Sequence, residues 1–428
     1  MTSTRRLSQL SEIIKQNTTK IDAYLESSGH PEPSFEASYP PILDLPPEAD
    51  AARKAALEAL DELRDHLVGP LGMITTAATE LATLVSMHGM VRFKLAETLP
   101  AESTISIPEM AHKSGMHPED AEMIVRHGVS RRLFLQNEDG KISHSAASKA
   151  MLAVPNIASF IETCLDNMWS SAPSVVNAMQ KWPGSQEPTQ TAYNLAHHQT
   201  DVSFFEGLAQ HETRAQKFAE AMTFMQSAPE LAVDYVLEYD WSQHANGTVV
   251  DVGGSQGVVA FRLAETYPNM TIIVQDRPEV IELVASGPQT AAAEAHKNVR
   301  FQAHDFFMPQ PVADADVYFF RWILHDWPTK YCISILRALI PALNNRPGAR
   351  IVLMDAILPE PGQLTPFQER GIRNFDIVMK TMFNARERSE SDWRKLVADA
   401  DEGGRFKVKD VLRPVGSQLG FLVIEWNG

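Results

Sequence analysis

From residue 248 onward the chain carries six apolar runs separated by stretches of helical length: TVVDV, MTIIVQD, VRFQAHD, DVYFFRW, ARIVLMDA and GFLVIEW. A half-exposed strand alternates apolar and polar residues, whereas an unbroken apolar run fits a strand covered on both faces. Strands that alternate with helices pair in parallel, because a crossover is needed to bring the chain back to the same edge. The pattern predicts an open α/β sheet of the Rossmann-like kind. Such sheets bind ligands beyond the carboxyl ends of their strands, so chemistry is sought there first.

The earlier part of the chain reads as helical. Residues 6–28 predict one helix, with Leu7, Leu10, Ile13 and Ile14 near helical spacing. The connector HPEPSFEASYPPILDLPP admits neither regular helix nor central strand. Residues 49–67 and 71–95 predict two more helices. The second is apolar on nearly every side, which suits an internal core element or half of a subunit interface. Residues 103–144 have the pattern of a winged helix: Pro108 and Pro118 open short helices, and LFLQNEDGKISH reads as a hairpin turning at Asp139-Gly140. The would-be recognition helix begins PEDAEM, three carboxylates where DNA phosphates require Lys or Arg. A structural role is therefore preferred over a winged-helix regulator. The expected spans are an N-terminal helix and proline-rich arm at 1–48, a helical, winged-helix-like domain at 49–175 and the α/β domain at 176–428.

Charge and cysteine usage narrow the partners. With 38 basic residues against 54 acidic, the formal net charge of −16 disfavours nucleic acid and anionic membrane. No stretch approaches the roughly 20 apolar residues of a membrane span. Cys164 and Cys332 make no disulfide framework and point to a reducing compartment. MTSTRRLSQLSEIIKQ lacks the apolar segment of a secretory signal, so a soluble cytoplasmic protein is expected.

The segment VVDVGGSQGVVAFRLAETYP reads as strand, tight turn and helix. Gly253, Gly254 and Gly257 let the backbone approach a ligand, but Val252 breaks the dinucleotide fingerprint and no P-loop lysine follows. Asp251, ending the strand, would repel a pyrophosphate and suits a cationic ligand. Asp276 closes the next strand, where a carboxylate can accept both ribose hydroxyls. Asp305 could meet an adenine amino group, with Phe306 against the ring. Together these acids describe a positively charged nucleoside without phosphate, a description that S-adenosylmethionine fits.

On the same rim, DVYFF leads through Arg321 and Trp322 to His325, while Asp355 ends the next strand and Glu387 lies in NARERSESDW. An imidazole oriented by carboxylates is a general-base arrangement, and a phenol of pKa about 10 yields its proton to an imidazole of pKa about 6.5 as the oxygen attacks. Asp326, the immediate neighbour of His325, is read as a capping residue, because adjacent side chains on a helix or strand diverge. His197, His198 and His211 match no common metal spacing, so no metal is expected. Met222 and Met379, in Met-rich helical stretches, read as core or as lining of an apolar pocket for a flat substrate.

The ordered segments VVDVGGSQG, IIVQDRPEVI, HDFFMPQPVADADVYFFRWILHDWP, ILPEPG and NARERSESDW resemble the plant-type small-molecule O-methyltransferases. Within them they look most like the fungal enzymes that methylate hydroxylated polyketides, of the sterigmatocystin-pathway type. The resemblance runs from about residue 55 to the end. It implies a class I methyltransferase domain behind a helical dimerisation domain, a homodimer, S-adenosylmethionine as cofactor and a hydroxylated small molecule as acceptor. By motif match it implies that Gly253, Asp276, Asp305, Phe306 and Arg321 bind the cofactor, with Asp251 bordering it. His325 is then the base, Asp355 and Glu387 orient it, and Trp322, Met222 and Met379 line the substrate pocket. Two positions depart from the family pattern: Ser255 replaces a usual glycine, and NARER replaces Asn-Gly-Lys-Glu-Arg ahead of Glu387. Some fungal relatives keep the fold and the cofactor yet steer dehydration or pericyclic ring formation. The intact set His325, Asp355 and Glu387 favours methyl transfer over that alternative.

Overall fold

The computed structural model describes residues 5–199, 201–286, 295–346 and 348–428, so the first four residues of the N-terminal arm lie outside it. The chain divides into two compact units. One runs to Leu165 and includes Pro366–Gln368; the other comprises Asp166–Thr365 and Glu369–Gly428. Arm and winged-helix-like region share the first unit, against the separate spans read from the sequence, and the chain passes to the second before residue 176.

In the first unit, helix Arg6–Ser28 buries Leu10 and Leu25 and packs along helix Pro47–Thr79. That second helix is broken at Gly69, whose φ of 74° and ψ of 169° are non-helical. Pro70 is the cause, since its ring disfavours the helical conformation of the residue before it. The sequence expectation counted no membrane-length apolar run, yet by length and composition Pro47–Arg92 is one. Gly69 divides that stretch, and after the break helix runs from Pro70 to Thr79 and, past Glu80 in helical conformation, through Leu81–Arg92. Of the two roles its apolarity suggested, internal core element or half of a subunit interface, the single chain does not show the first: Leu67, Leu71 and Ile74 are about 70 % exposed.

The rest of the unit follows the winged-helix pattern. Ser106 and Glu109 form a capping box on helix Ile107–Ser114, and helix Pro118–Ser130 carries Glu119 and Asp120 in its first turn. Strands β1 (Phe134–Gln136) and β2 (Ile142–His144) pair antiparallel around a turn closed by the Gly140 amide on the Asn137 carbonyl. Met110, Ala121, Val125, Phe134 and Ile142 form its core.

The second unit is built on one sheet. Its strands are β3 (Thr248–Val252), β4 (Thr271–Asp276), β5 (Val299–Ala303), β6 (Val317–Arg321), β7 (Arg350–Leu358), the short β8 (Arg388–Ser389), β9 (Phe406–Leu412) and β10 (Leu419–Trp426). The order is β5-β4-β3-β6-β7-β10-β9, parallel through β7, with β10 antiparallel to both neighbours and β8 pairing the end of β7. Alternation of side chains sends Phe319 to one face and Phe320 to the other, and each enters a separate core. Burying such a ring contributes roughly 1.5–3 kcal/mol. Coverage on both faces explains why these strands read as unbroken apolar runs. Strand order reverses between β3 and β6, the crevice where an open sheet receives its ligand.

Candidate active site

At the end of β3 the loop is closely packed. Gly253 has φ +75°, and a Cβ there would lie 2.4 Å from Ile323; one on Gly254 would lie 2.5 Å from the Asp251 carboxylate. These glycines seat the loop against the His325 turn and the sheet. Gly257, also at positive φ, faces Phe301 at 2.9 Å and is absent from the described cavity wall, so its role is packing rather than contact with a ligand. Ser255 occupies the left-handed region at φ +48°, the conformation that the family's glycine adopts without cost.

The acids at this end are held from behind. Asp276 Oδ2 accepts from the Ser255 amide at 2.9 Å and Oδ1 from the Arg277 amide at 2.8 Å, while burial raises its pKa. Asp305 is exposed, with Oδ1 accepting from the Phe307 amide at 3.0 Å. Phe306 and Phe307 meet Trp327 edge-on. Burial pushes the Asp251 carboxyl up to about 7, partly offset by Arg321; burial likewise pulls Arg321 down to about 10 against the pull of Asp251 and Asp355. Arg321 donates from Nη2 to the Leu231 carbonyl at 2.7 Å and lies over the Trp322 ring. Asp251 Oδ2 and Arg321 Nε are among the buried atoms left without partners. One acceptor and one donor beside a glycine turn match the ammonium and carboxylate of an amino-acid moiety, and so fit S-adenosylmethionine.

His325 sits in a tight turn, Leu324–Asp326, entered through Trp322 at φ +56°. That left-handed conformation is strained for a bulky residue, and it folds the chain sharply back from β6. His325 is 8 % exposed, lines the cavity and pairs through Nδ1 with Glu387 Oε1 at 2.9 Å. Glu387 is 2 % exposed, and its backbone amide donates to Asp376 Oδ1 at 2.9 Å. The unusual NARER turn therefore still presents Glu387. Asn384 supplies the left-handed residue there, at φ +59°.

Two readings of the acids change. Asp326, taken as a cap, lies with Oδ1 3.4 Å from His325 Nε2, at ion-pair distance. The divergence rule fails because the segment is a tight turn rather than regular helix or strand. Asp355, expected to orient His325, makes no hydrogen bond to it: both oxygens are buried without a partner, and it does not line the cavity. It acts on the imidazole through charge alone. Burial opposes the charged imidazole, but Asp326, Glu387 and Asp355 outweigh it and hold the His325 pKa at about 10. Burial in turn raises Asp355 to about 7 and Asp326 to about 6.

The cavity in front of this turn has a volume of about 1320 Å³ and is lined by residues of the second unit. Met222, Trp322 and Met379 are in its wall, as are Asp251, Gly253, Gly254, Asp276, Asp305, Phe306 and Arg321. Sequence reasoning missed Met168, Phe205, Phe218 and Trp327 in the same wall. Phe205 stacks on Phe383 with ring centroids 5.2 Å apart. A signal existed only for Trp327, which lies in the quoted HDFFMPQPVADADVYFFRWILHDWP segment; the others lie on helices whose facing no periodicity reveals. Among the described residues, no group of three or more His, Cys, Asp or Glu side chains is arranged to hold a metal ion.

Comparisons with known proteins give the family and the fold. The O-methyltransferase domain family matches residues 183–401. The grayanic acid biosynthesis cluster O-methyltransferase of Cladonia grayi is 36 % identical, covering 98 % of this chain and 88 % of its own. Among solved structures, a protein described as a pericyclic reaction enzyme superposes with TM-score 0.73 at 23 % identity, covering 97 % of this chain and all of its own. LepI in complex with S-adenosylmethionine does so with TM-score 0.73 at 24 % identity, covering 97 % and 99 %. At those identities the structural likeness establishes the fold.

Proposed function

This chain belongs to the O-methyltransferase family and is an S-adenosylmethionine-dependent enzyme, and from that premise we propose that it methylates a phenolic hydroxyl of a flat, multi-ring secondary metabolite of polyketide type, with His325 as general base. The observation that carries the reading is the Nδ1 contact of His325 with Glu387 at 2.9 Å, on an imidazole that lines the cavity. Glu387 on Nδ1 at 2.9 Å lies closer than Asp326 to Nε2 at 3.4 Å, which favours the tautomer with the lone pair on Nε2 once the ring is neutral. Bound S-adenosylmethionine supplies an electrophilic methyl group. Asp251 and Arg321 would hold its amino-acid end, Asp276 its ribose, and Phe306 with Asp305 its adenine. Trp322, Met222 and Met379 would hold the acceptor in line, and His325 Nε2 would take its proton. Because His325 binds its proton tightly in the free site, the rate is expected to rise with pH above neutrality.

The walls support the acceptor class. Phe205, Phe218, Trp322 and Trp327 make the wall strongly aromatic, which suits a planar apolar molecule. At roughly 20 Å³ per packed non-hydrogen atom, the cofactor fills about 540 Å³ and leaves room for several fused rings. For the partner, the reading is a homodimer through the first unit. Exposed Leu67, Leu71, Ile74, Leu81 and Val85 form an apolar surface that suits a second copy. Replacing Leu71 and Ile74 with glutamate is expected to give a monomer by light scattering.

The deciding experiment incubates the protein with methyl-labelled S-adenosylmethionine and a panel of naphthols and hydroxyanthraquinones, followed by mass spectrometry. Labelled product that falls at least about 100-fold in H325A supports the reading. Unlabelled rearrangement of a polyene or quinone-methide substrate would replace it with the pericyclic alternative. Methyl transfer unchanged in H325A would remove His325 as base.

A further inference from the structure

Arg388 is among the largest side chains buried in the protein, 1 % exposed, and no described ion pair involves it. Its guanidinium donates from Nη1 to the Leu324 carbonyl at 2.9 Å and from Nη2 to the Trp327 carbonyl at 2.9 Å. Those carbonyls bracket His325 and Asp326. The group is sandwiched against the Trp393 ring, 5.0 Å from its centroid, and Trp393 is itself tied by Nε1 to the Ala356 carbonyl of β7 at 3.1 Å. Cys332 Sγ reaches the same two carbonyls, at 3.1 and 3.2 Å, but a thiol is a weak donor.

The arrangement has a simple origin. Arg388 begins β8 and pairs with Ile357 on β7. Successive residues of an extended segment point to opposite sides, so Glu387 faces the imidazole while Arg388 goes beneath the turn that carries it. A turn entered through a strained Trp322 needs such a hold. Desolvating a guanidinium is costly, and three bonds to neutral carbonyls, the third from Nη1 to Arg386 at 3.5 Å, are a poor return if stability were the only purpose.

We propose that Arg388 is a positioning residue for methyl transfer: its planar fork clamps the Leu324 and Trp327 carbonyls and so fixes the His325–Asp326 turn against Glu387. This rests on the reading of His325 as base. The clamp needs the fork, because a lysine keeps the charge but reaches two carbonyls with one nitrogen.

The test separates geometry from charge. The protonation of His325 is followed by NMR in histidine-labelled protein without substrate, with H325A providing the assignment. Loss of a nearby cation alone makes an imidazole hold its proton more tightly, whereas loosening the turn from its carboxylates makes it hold the proton less tightly. In R388K the charge is kept, so any change reports position. The expected result is a proton affinity of His325 lower by at least about tenfold in R388K and in R388M, with a melting temperature within a few degrees of the parent. In the labelled assay with 2-naphthol, kcat is expected to fall about 10- to 100-fold in R388K, with KM for S-adenosylmethionine unchanged. With 2,4,6-trichlorophenol, already ionised at pH 8, the fall should be under about threefold. Should R388M fail to fold, R388K alone decides. An unchanged His325 titration in folded R388K overturns the proposal, and so does an equal loss of kcat on both phenols. Activity that survives in H325A refutes the base instead, whatever R388K does.

Discussion

Asp251 offers a test that needs no acceptor. In the free protein it is 2 % exposed with Oδ2 lacking a partner, and its pKa is about 7, so it is half protonated at neutral pH. Bringing the ammonium of S-adenosylmethionine against it favours the ionised form, and one adjacent cation lowers a carboxyl pKa by about 1–3. With a fall to about 5, binding expels about half a proton at pH 7 and about 0.8 near pH 6. The same linkage makes the cofactor bind about 20-fold more tightly at pH 7.5 than at pH 5.5, or about 1.7 kcal/mol. The cofactor's own α-ammonium titrates near pH 8, which sets the upper end of the useful window below that value. Isothermal titration calorimetry at pH 5.5, 6.5 and 7.5, in buffers of different ionisation enthalpy, reads both Kd and proton count. D251N should bind about 10- to 100-fold more weakly at pH 7.5 and lose most of the pH dependence. A parent Kd that varies less than twofold across the window, with no proton release, refutes the argument. A dependence that persists in D251N assigns it to another group.

Two further outcomes follow from the acids near His325. E387Q removes a buried, charge-assisted hydrogen bond, which contributes about 1.5–3 kcal/mol, so kcat should fall about 10- to 150-fold. The imidazole also loses a carboxylate that favours its charged form, so the acid limb of kcat/KM should move to lower pH; an unmoved limb counts against the pair. Asp355 has a folded pKa of about 7, above its unfolded value, so the stability it contributes is complete below about pH 4 and is lost as pH rises through about 7. D355N should therefore gain melting temperature over the parent by a few degrees between pH 5 and pH 8, measured by scanning calorimetry. A constant difference across that range would show that Asp355 is ionised and satisfied.

The features legible in the sequence were those with a period or a fixed chain position. Apolar runs gave the parallel strands, and the ends of those runs located Asp251, Asp276 and Arg321. His325 follows a strand end on that rim, whereas Glu387 lies in the turn after helix Pro366–Phe383, and the NARERSESDW resemblance is what paired the two. What stayed hidden depended on a side chain's direction within irregular backbone. Asp326 reaches His325 because Trp322 takes a positive φ that no residue pattern encodes for tryptophan. Phe205 and Phe218 face the cavity from helices whose apolar residues serve core and pocket alike. Arg388 read as one charge in a polar turn, since burial of an arginine against carbonyls has no sequence signature. The face around Leu71 and Ile74 could be read as core or as subunit interface, because apolarity does not say whether the covering surface belongs to the same chain.

The acids also explain the cofactor's charge class. Asp251, Asp276, Asp326, Asp355 and Glu387 crowd a site whose buried cations are Arg321, His325 and Arg388. With water largely excluded, so many carboxylates cannot all ionise, and the free site balances itself by retaining protons on Asp251 and Asp355 near 7 and on His325 near 10. A phosphate-bearing dinucleotide would deepen that imbalance. S-adenosylmethionine carries a sulfonium, an ammonium and a single carboxylate, so it brings one net positive charge and lets carboxylates release their protons. Methyl transfer consumes that sulfonium charge. The ammonium that faces Asp251 stays on the spent cofactor, so that carboxylate keeps its partner, but the acidic site as a whole has lost one positive charge, which weakens its hold on the spent cofactor relative to the fresh one. The surplus of acid that looked wasteful around one histidine is therefore suited to a cofactor that enters as a cation and leaves without its sulfonium charge.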